Sequence, residues 1–541
     1  MAARDGVHAS ISNVSSFSEG ELGYNWLLFG RKWGGPLGTG VSLTYSFVTS
    51  ADAISYGNQF VTKPAFNSAQ KTAATMALNA WSSVADIKFT QVADSKAGAG
   101  DIRWLNSNSA DHNPTAFAYF PYSGGAEEGD IWIGPNPVYK SPAAGNYAGQ
   151  TYMHELGHAL GLKHPHDGAY WGSKLHDQLK YSVMSYRDHA GDSAEDGVGS
   201  GFFPTTPMLD DIAAIQLMYG KNMSFNSGNT TYSWAKDVSI YQTIWDGGGV
   251  DTIDAGNQSG SVSINLNAGQ FSSIGKTFWN EKAYVNDCLA IAYGCVIENA
   301  RGSVFDDNLT GNSAANLLSG NAGNDLLVGN NGNDTLNGGV GSDSMNGGAG
   351  NDSYYVDSSS DMIIGETSVT GIDTVLSAIS YTLGSSSNLE NLTLLTGAIS
   401  GIGNGLSNII TGNAGNNTLN GGAGNDVLIG GAGKDVLTGS AGADRFDFNA
   451  LSEILSGSSR DVISDFKSVE GDKIDLSTLD ANTATVVNEA FSFIGTNAFT
   501  HAGQIRFANG ILYGNTDADS SAEFEIQLTG VGSLTSSSFL L

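Results

Sequence analysis

Residues 154–164 read His-Glu-Leu-Gly-His-Ala-Leu-Gly-Leu-Lys-His. His154 and His158 stand one helical turn apart, so both imidazoles project to the same side. Glu155 lies beside them and can reach a metal-bound water without being a ligand. Gly161 lets the chain leave the helix sharply, and His164 can then approach from the opposite side. Three imidazoles with an open fourth position describe a catalytic zinc site, not a structural one. Zinc lowers the pKa of its water to about 7 and polarises a carbonyl oxygen. Glu155 would take the water's proton and pass it to the leaving amine, so the expected chemistry is peptide hydrolysis. A bare H-E-x-x-H arises by chance in many proteins; Gly161 and His164 make the longer match far more specific.

These side chains need a scaffold. Residues 148–160 have helical spacing, with Met153, Leu156 and Leu160 on one face and His154 and His158 on another. A second helix is expected over 210–219, after Pro207, with two acidic residues at its start and Gly220 after its end. Upstream, 43–47, 87–92, 101–105, 116–120 and 130–133 alternate as strands, and 69–84 reads as a helix. Strands interleaved with helices indicate an α/β layer built on a mixed sheet. Beyond residue 230 the helical signals mostly give way to short β-like runs between Gly, Asn and Asp.

From Gly302 a nine-residue unit of form G-G-x-G-x-D-x-U-x recurs six times, and from Gly403 it recurs five times. Its glycines permit a turn with unusual dihedrals. Its sixth residue is a carboxylate at Asp307, Asp325, Asp334, Asp343, Asp352, Asp426, Asp435 and Asp444. The apolar residue two places on, such as Leu327 or Leu437, must point inward. One unit cannot bury it alone; stacked units can, as a parallel β-roll. Stacking crowds like charges unless a divalent cation bridges them, and calcium accepts the carboxylate and carbonyl oxygens on offer. Asn316, Asn408 and Asn417 replace the Asp, so weak binding or capping is expected there.

Composition narrows the class. The 541 residues exceed one ordinary core. Lys+Arg number 24 against 54 Asp+Glu, a formal charge of −30, which argues against nucleic-acid binding. No apolar run is long enough for a membrane span. Residues 1–22 lack the apolar core of a cleaved secretory signal. Cys288 and Cys295 are the only cysteines, and both a disulfide and two free thiols remain open.

The long histidine motif, the run Ser182-Val183-Met184-Ser185-Tyr186, the helix Pro207-Met-Leu-Asp-Asp-Ile-Ala-Ala-Ile-Gln-Leu-Met-Tyr-Gly220 and the nonapeptides together resemble the serralysins. These are bacterial secreted zinc metalloproteases of the metzincin group, whose mark is a Met turn beneath a three-His site. The resemblance covers roughly residues 25–541. It implies a metzincin-like α/β catalytic domain, an all-β parallel β-roll and a β-rich C-terminal segment. Met184 would form the turn. Tyr186 would be a switchable zinc ligand that swings away to stabilise the oxyanion. Ala116, Phe117, Ala118 and Tyr119 would lie at the edge strand that pairs with substrate.

Further calcium ligands carried over are Asp246, Gly248, Asp251 and Glu298 at one site, and Asn226, Gly228 and Thr230 at another. The expected cofactors are one catalytic zinc and several structural calcium ions. The expected partners are protein or peptide substrates, a proteinaceous inhibitor and a type I export apparatus; the chain would be a secreted monomer.

The expected organisation is a propeptide or disordered segment (1–22), the protease domain (23–235), a first roll region (236–355), a spacer (356–402), a second repeat block (403–455) and a secretion-signal segment (456–541). The spacer departs from the serralysin pattern, so the roll is expected to be interrupted or doubled. A calcium-dependent binding protein that retains a protease-like domain is the competing class; the intact His154, Glu155, His158, His164 and Tyr186 weigh against it. His166, His176 and His189 are expected as surface or loop residues.

Overall fold

The computed structural model describes residues 10–13, 27–48, 65–94, 100–107, 115–122, 127–167, 175–189, 201–366, 371–385, 388–485, 487–517 and 519–541. Most of the expected N-terminal propeptide, 1–9 and 14–22, lies outside these residues. The chain forms two compact units, Met1–Asn299 and Ala300–Leu541.

In the first unit, β1 (Ile11–Asn13) pairs antiparallel with β2 (Arg31–Trp33). Then follow β3 (Val41–Phe47), α1 (Ser68–Val84), β4 (Ile87–Gln91), β5 (Ile102–Asn106), β6 (Phe117–Ala118), β7 (Asp130–Ile133), α2 (Tyr147–Leu160) and α3 (Leu209–Tyr219). One sheet takes the order β4-β3-β5-β7-β6. Its first four strands are parallel and β6 runs antiparallel at the edge. The alternating pattern read from the sequence thus places one face against helices, where Trp81, Trp104 and Tyr152 are fully buried, while Trp132 packs on the other face with Val48 and Leu105.

Local chemistry fixes the helix ends. Asn67 caps α1 in a reciprocal box with Gln70, at 2.9 and 3.0 Å. Asn146 caps α2 by accepting from the Gly149 amide at 2.8 Å. At the other end α2 stops at Gly161, whose φ of 109° is left-handed. Its last carbonyls are not left bare: Trp33 Nε1 donates to Ala159 O, and Tyr219 Oη to Leu160 O, both at 2.8 Å. Short strands from Thr231–Ser233 to Leu289–Ile291 complete this unit. Cys288 and Cys295 are buried free thiols, and burial pushes both up to about 12.

The second unit is a parallel roll. Partners in register are 18 residues apart, as Leu318 with Leu336 and Leu327 with Met345, so two nonapeptides make one turn. Leu309, Leu318, Leu327, Leu336, Met345 and Tyr354 stack inside it, fully buried. The segment between the repeat blocks does not break the fold on one face. There, Ser353–Val356, Thr374–Ser377, Asn391–Leu394 and Ile409–Thr411 pair without a gap. On the other face one ladder ends at Met362–Ile363 and another starts at Tyr381–Thr382. The interruption expected from the sequence is therefore confined to one face of a single roll. Near the C-terminus Gln504–Ala508, Ile511–Asn515 and Phe524–Leu528 form an antiparallel meander, and Phe539–Leu540 pairs with the strand Lys473–Asp475. Among the described residues no helix is long and apolar enough to cross a membrane.

Candidate metal centre

Helix α2 and the turn after it bring three imidazoles to one point. His164 Nε2 lies 3.2 Å from His154 Nε2 and 3.0 Å from His158 Nε2. Their other nitrogens are committed. His154 Nδ1 donates to Val183 O at 2.8 Å and His158 Nδ1 to Leu162 O at 2.7 Å. His164 Nδ1 donates to the Asp167 carboxylate at 3.0 Å. A carbonyl or carboxylate can only accept, so each Nε2 presents a bare lone pair. Burial holds all three rings neutral: His154 falls to about 4, His164 to about 2, and His158 lies well below its ordinary value. Three facing lone pairs repel unless a cation joins them. A tetrahedral ion with metal–nitrogen bonds near 2.0–2.1 Å places its nitrogens about 3.3 Å apart, close to the spacing found. The residues fit zinc.

Glu155 is 5% exposed, and its Oε2 has no hydrogen-bond partner. Burial pushes its carboxyl up to about 8. A buried carboxylate oxygen without a partner beside a lone-pair cluster awaits a cation or a proton. Tyr186 stacks on His154 at 5.4 Å between ring centroids and lies 4.4 Å from His164. Its hydroxyl is shifted upward, chiefly by burial.

Met184 is fully buried beneath α2. A Cβ on Gly157 would stand 2.5 Å from Met184 Sδ. The glycine inside the histidine motif is therefore a packing requirement, one that sequence reasoning passed over. Two acids were also missed. Asp211, read only as a helix-start signal, accepts from Ser182 Oγ at 2.6 Å, Val183 N at 2.7 Å and Met208 N at 2.9 Å. It thereby fixes the turn whose Val183 carbonyl orients His154. Asp177 accepts from Ser185 Oγ at 2.8 Å and pairs with Arg187 Nη1 at 2.7 Å, gripping the chain on both sides of Tyr186.

Of the histidines expected as surface or loop residues, His166 and His176 lie half-buried in turns, and each has an acidic neighbour. His166 stacks parallel to His164 at 5.1 Å and approaches Asp177 at 3.6 Å. His176 donates to the buried Asp210 at 2.7 Å. Their signal, one acid and one histidine on separate segments, has no spacing to betray it.

Ala116 precedes β6, Phe117 and Ala118 form it, and Tyr119 continues its pairing through Tyr119 N to Asp130 O at 3.0 Å. The odd-numbered residues thus bond inward to β7. Phe120 lies edge-on to His158 at 5.1 Å and is stacked by Phe29 at 4.0 Å. The sheet's open edge runs beside the imidazoles.

The expected calcium ligands form two groups. In the first unit, Asn226 Nδ2 reaches Tyr232 Oη at 3.0 Å, and Tyr232 Oη donates to Asp246 at 2.6 Å. Asp246 Oδ1 takes the Gly248 amide at 2.8 Å. Gly228 O accepts from Thr230 Oγ1 at 2.9 Å, and Thr230 N donates to Asp251 Oδ1 at 2.7 Å. Glu298 takes the Asp251 amide at 2.7 Å, and Asp251 Oδ2 is buried without a partner. The two sets read separately from the sequence are thus contiguous.

In the roll, each repeat aspartate amide donates to the carboxylate one turn on, as Asp307 to Asp325, Asp325 to Asp343 and Asp334 to Asp352, all at 2.8 Å. The second oxygens of Asp325, Asp334, Asp343, Asp352, Asp426 and Asp435 are buried and unpartnered. Such oxygens fit a hard cation. Both oxygens of Asp307 are taken up by Ser303. The asparagine turns satisfy themselves: Asn408 Nδ2 donates to Glu390 O at 2.9 Å and Asn417 Nδ2 to Ala398 O at 3.2 Å.

Residues 48–188 match the matrixin family, and 301–336, 328–363, 402–437 and 423–450 match the RTX calcium-binding nonapeptide repeat. The chain is 34% identical over 302 residues to metallopeptidase AprA of Pseudomonas marginalis, covering 51% of this chain and 61% of the relative. It is 36% identical over 303 residues to metalloprotease AprA of Pseudomonas entomophila, covering 51% and 60%. To serralysin A of Dickeya chrysanthemi it is 34% identical over 321 residues, covering 56% and 65%. The matched region therefore spans about three fifths of each relative's length. Histidine geometry, family matches and relatives agree: the chain carries a matrixin-type zinc-binding domain followed by calcium-binding RTX repeats, and it is similar to the serralysins.

Proposed function

We propose that the chain is a zinc endopeptidase of the serralysin type, exported from the cell and stabilised there by calcium in its roll. One observation carries the catalytic part: three bare Nε2 lone pairs converge beside the unpartnered carboxylate of Glu155, next to an open sheet edge. A bound zinc ion would supply Lewis acidity toward the scissile carbonyl and acidify a water at its open position. The protein's own groups do the rest. The edge at Ala118 and Phe120 pairs with an extended peptide and holds its carbonyl in register. Glu155 takes a proton from the attacking water and returns it to the leaving amine nitrogen. Tyr186, kept protonated by burial, donates its hydroxyl proton in a hydrogen bond to the developing oxyanion.

Export is supported by the roll's chemistry. Its buried carboxylates disfavour folding until a divalent cation arrives, so low calcium keeps the segment unfolded and high calcium outside folds it. Casein hydrolysis by the purified chain, beside Glu155→Ala, tests the catalytic reading. Both proteins are assayed in calcium and for bound zinc. Cleavage by the parent and a loss of at least about 1,000-fold in a zinc-loaded variant support it. Two folded, zinc-loaded, inactive proteins would return the chain to the binding-protein class.

A further inference from the structure

The roll continues through a segment that carries no complete nonapeptide, and it does so on carboxylates. The repeat-family matches end at 363 and resume at 402. Between them, Asp373 Oδ1 accepts the Asp352 amide at 2.8 Å, as Asp352 Oδ1 accepts the Asp334 amide at 2.8 Å. Asp373 N in turn donates to Glu390 at 2.8 Å. A Cβ on Gly371 would strike Gly350 O, just as one on Gly350 would strike Gly332 O. Gly371, Ile372 and Asp373 therefore stack as the fourth to sixth residues of a repeat, at a spacing of 21 residues instead of 18.

The space between this hidden turn and the one before it differs from its regular counterparts. Beside Gly329, the Asp334 carboxylate and Gly347 O face the same small volume. Beside Gly347, that volume is faced by Asp352 Oδ2 and the Tyr354 hydroxyl. Tyr354 accepts from Gly347 N at 2.9 Å and donates to Glu366 Oε1. Asp352, Glu366 and Asp373 are 1%, 6% and 4% exposed, and Asp352 Oδ2 has no partner. Among the described residues no lysine or arginine pairs with any of the three. One phenolic proton cannot neutralise three buried carboxylates.

We propose that this junction is a divalent-cation site of the calcium class, in which Asp352 Oδ2 and the Glu366 carboxylate hold the ion and Asp373 anchors the turn around it. The site lets the roll cross the degenerate segment without losing its line of cations. Two carboxylates beside a phenolic oxygen are hard donors and select a hard cation.

The test counts bound calcium on the full chain by equilibrium dialysis and follows terbium substitution by luminescence. Glu366→Gln keeps shape and removes one charge; it should bind one equivalent fewer than the parent while keeping its strand signal in circular dichroism. Tyr354→Phe keeps every carboxylate. It should keep the full count and lose the part of the terbium emission sensitised through that phenol, and this readout stands where the glutamine variant does not fold. A full calcium count in folded Glu366→Gln, or unchanged terbium emission in Tyr354→Phe, overturns the assignment. In that case Tyr354 and Glu366 form only a hydrogen-bonded plug.

Discussion

Replacing Asp211 tests whether the metal ligands are held from below. Its carboxylate is fully buried and collects three donors, Ser182 Oγ, Val183 N and Met208 N. Burial pushes its pKa up to about 7, and the three donors work against that shift. Asp211→Ala would leave two backbone amides and one hydroxyl buried without a partner. At about 1–3 kcal/mol for each orphaned group, partly relieved by water, the loss is about 3–6 kcal/mol. Asp211→Asn keeps the volume but turns a donating NH2 toward one of the donors, for a loss of about 2–4 kcal/mol. The consequence reaches the metal because Val183 O fixes the His154 tautomer and also accepts from Gln150 Nε2 at 2.8 Å. Loss of such an outer partner typically weakens metal affinity by about 10–100-fold. Calorimetry in saturating calcium reads the first effect and a chelator competition reads the second. An Asp211→Asn protein with the parent's unfolding temperature and zinc affinity would refute the reasoning.

Three further outcomes are expected. Gly157→Ala forces a Cβ to 2.5 Å from Met184 Sδ; the helix gains about 1 kcal/mol in propensity against about 1–3 kcal/mol of overpacking. Casein kcat/KM should therefore fall at least about tenfold while stability changes little, since a misplacement near 1 Å costs up to about 100-fold. Phe29, 41% exposed and stacked on Phe120 beside His158, should contact substrate; Phe29→Ala should cut kcat/KM for aromatic-bearing peptides by about 10-fold relative to alanine-bearing ones, and an unchanged ratio in a peptide panel would dismiss that contact. Burial pushes Asp325, Asp334 and Asp461 up to about 7 and Asp343, Asp426 and Asp435 up to about 6. The metal-free roll holds more protons than the unfolded chain between the ordinary carboxyl pKa near 4 and about 7, so its stability falls as pH rises through that window. Thermal scans in chelator should show this decline and scans in calcium should not; a chelator series that gains stability toward neutral pH would count against it.

What the sequence made legible was whatever repeats or keeps a helical spacing. His154 and His158 one turn apart, the long motif ending at His164, and nonapeptides in strict phase each carry their geometry in their spacing. Helix α2 and the paired roll strands follow from that period. Contacts between distant segments carry no such mark. Asp211 reads as an ordinary acid at a helix start, yet it lies beneath the Met184 turn. Gly157 reads as a variable position, yet it is where Met184 packs. The segment after Ser353–Val356 reads as a spacer because its insertion breaks the nine-residue phase, although the register resumes at Asp373.

The two halves of the candidate machinery share one electrostatic device. In the histidine cluster, three neutral rings point lone pairs at a single spot, and their tautomers are locked by Val183 O, Leu162 O and Asp167. In the roll, one oxygen of Asp325, Asp334, Asp343, Asp352, Asp426 and Asp435 is spent on a neighbouring amide, which leaves the other oriented and unpaired. In both places the protein prepays the orientation of its ligands and leaves the charge balance to an ion. The apo form is then the strained one, and a cation adds stability in proportion to its binding. A formal charge of −30 is large for a chain whose carboxylates face only water. It is less so for one whose buried carboxylates are laid out in ladders, and the junction at Glu366 extends that logic into the segment where the repeat itself fails.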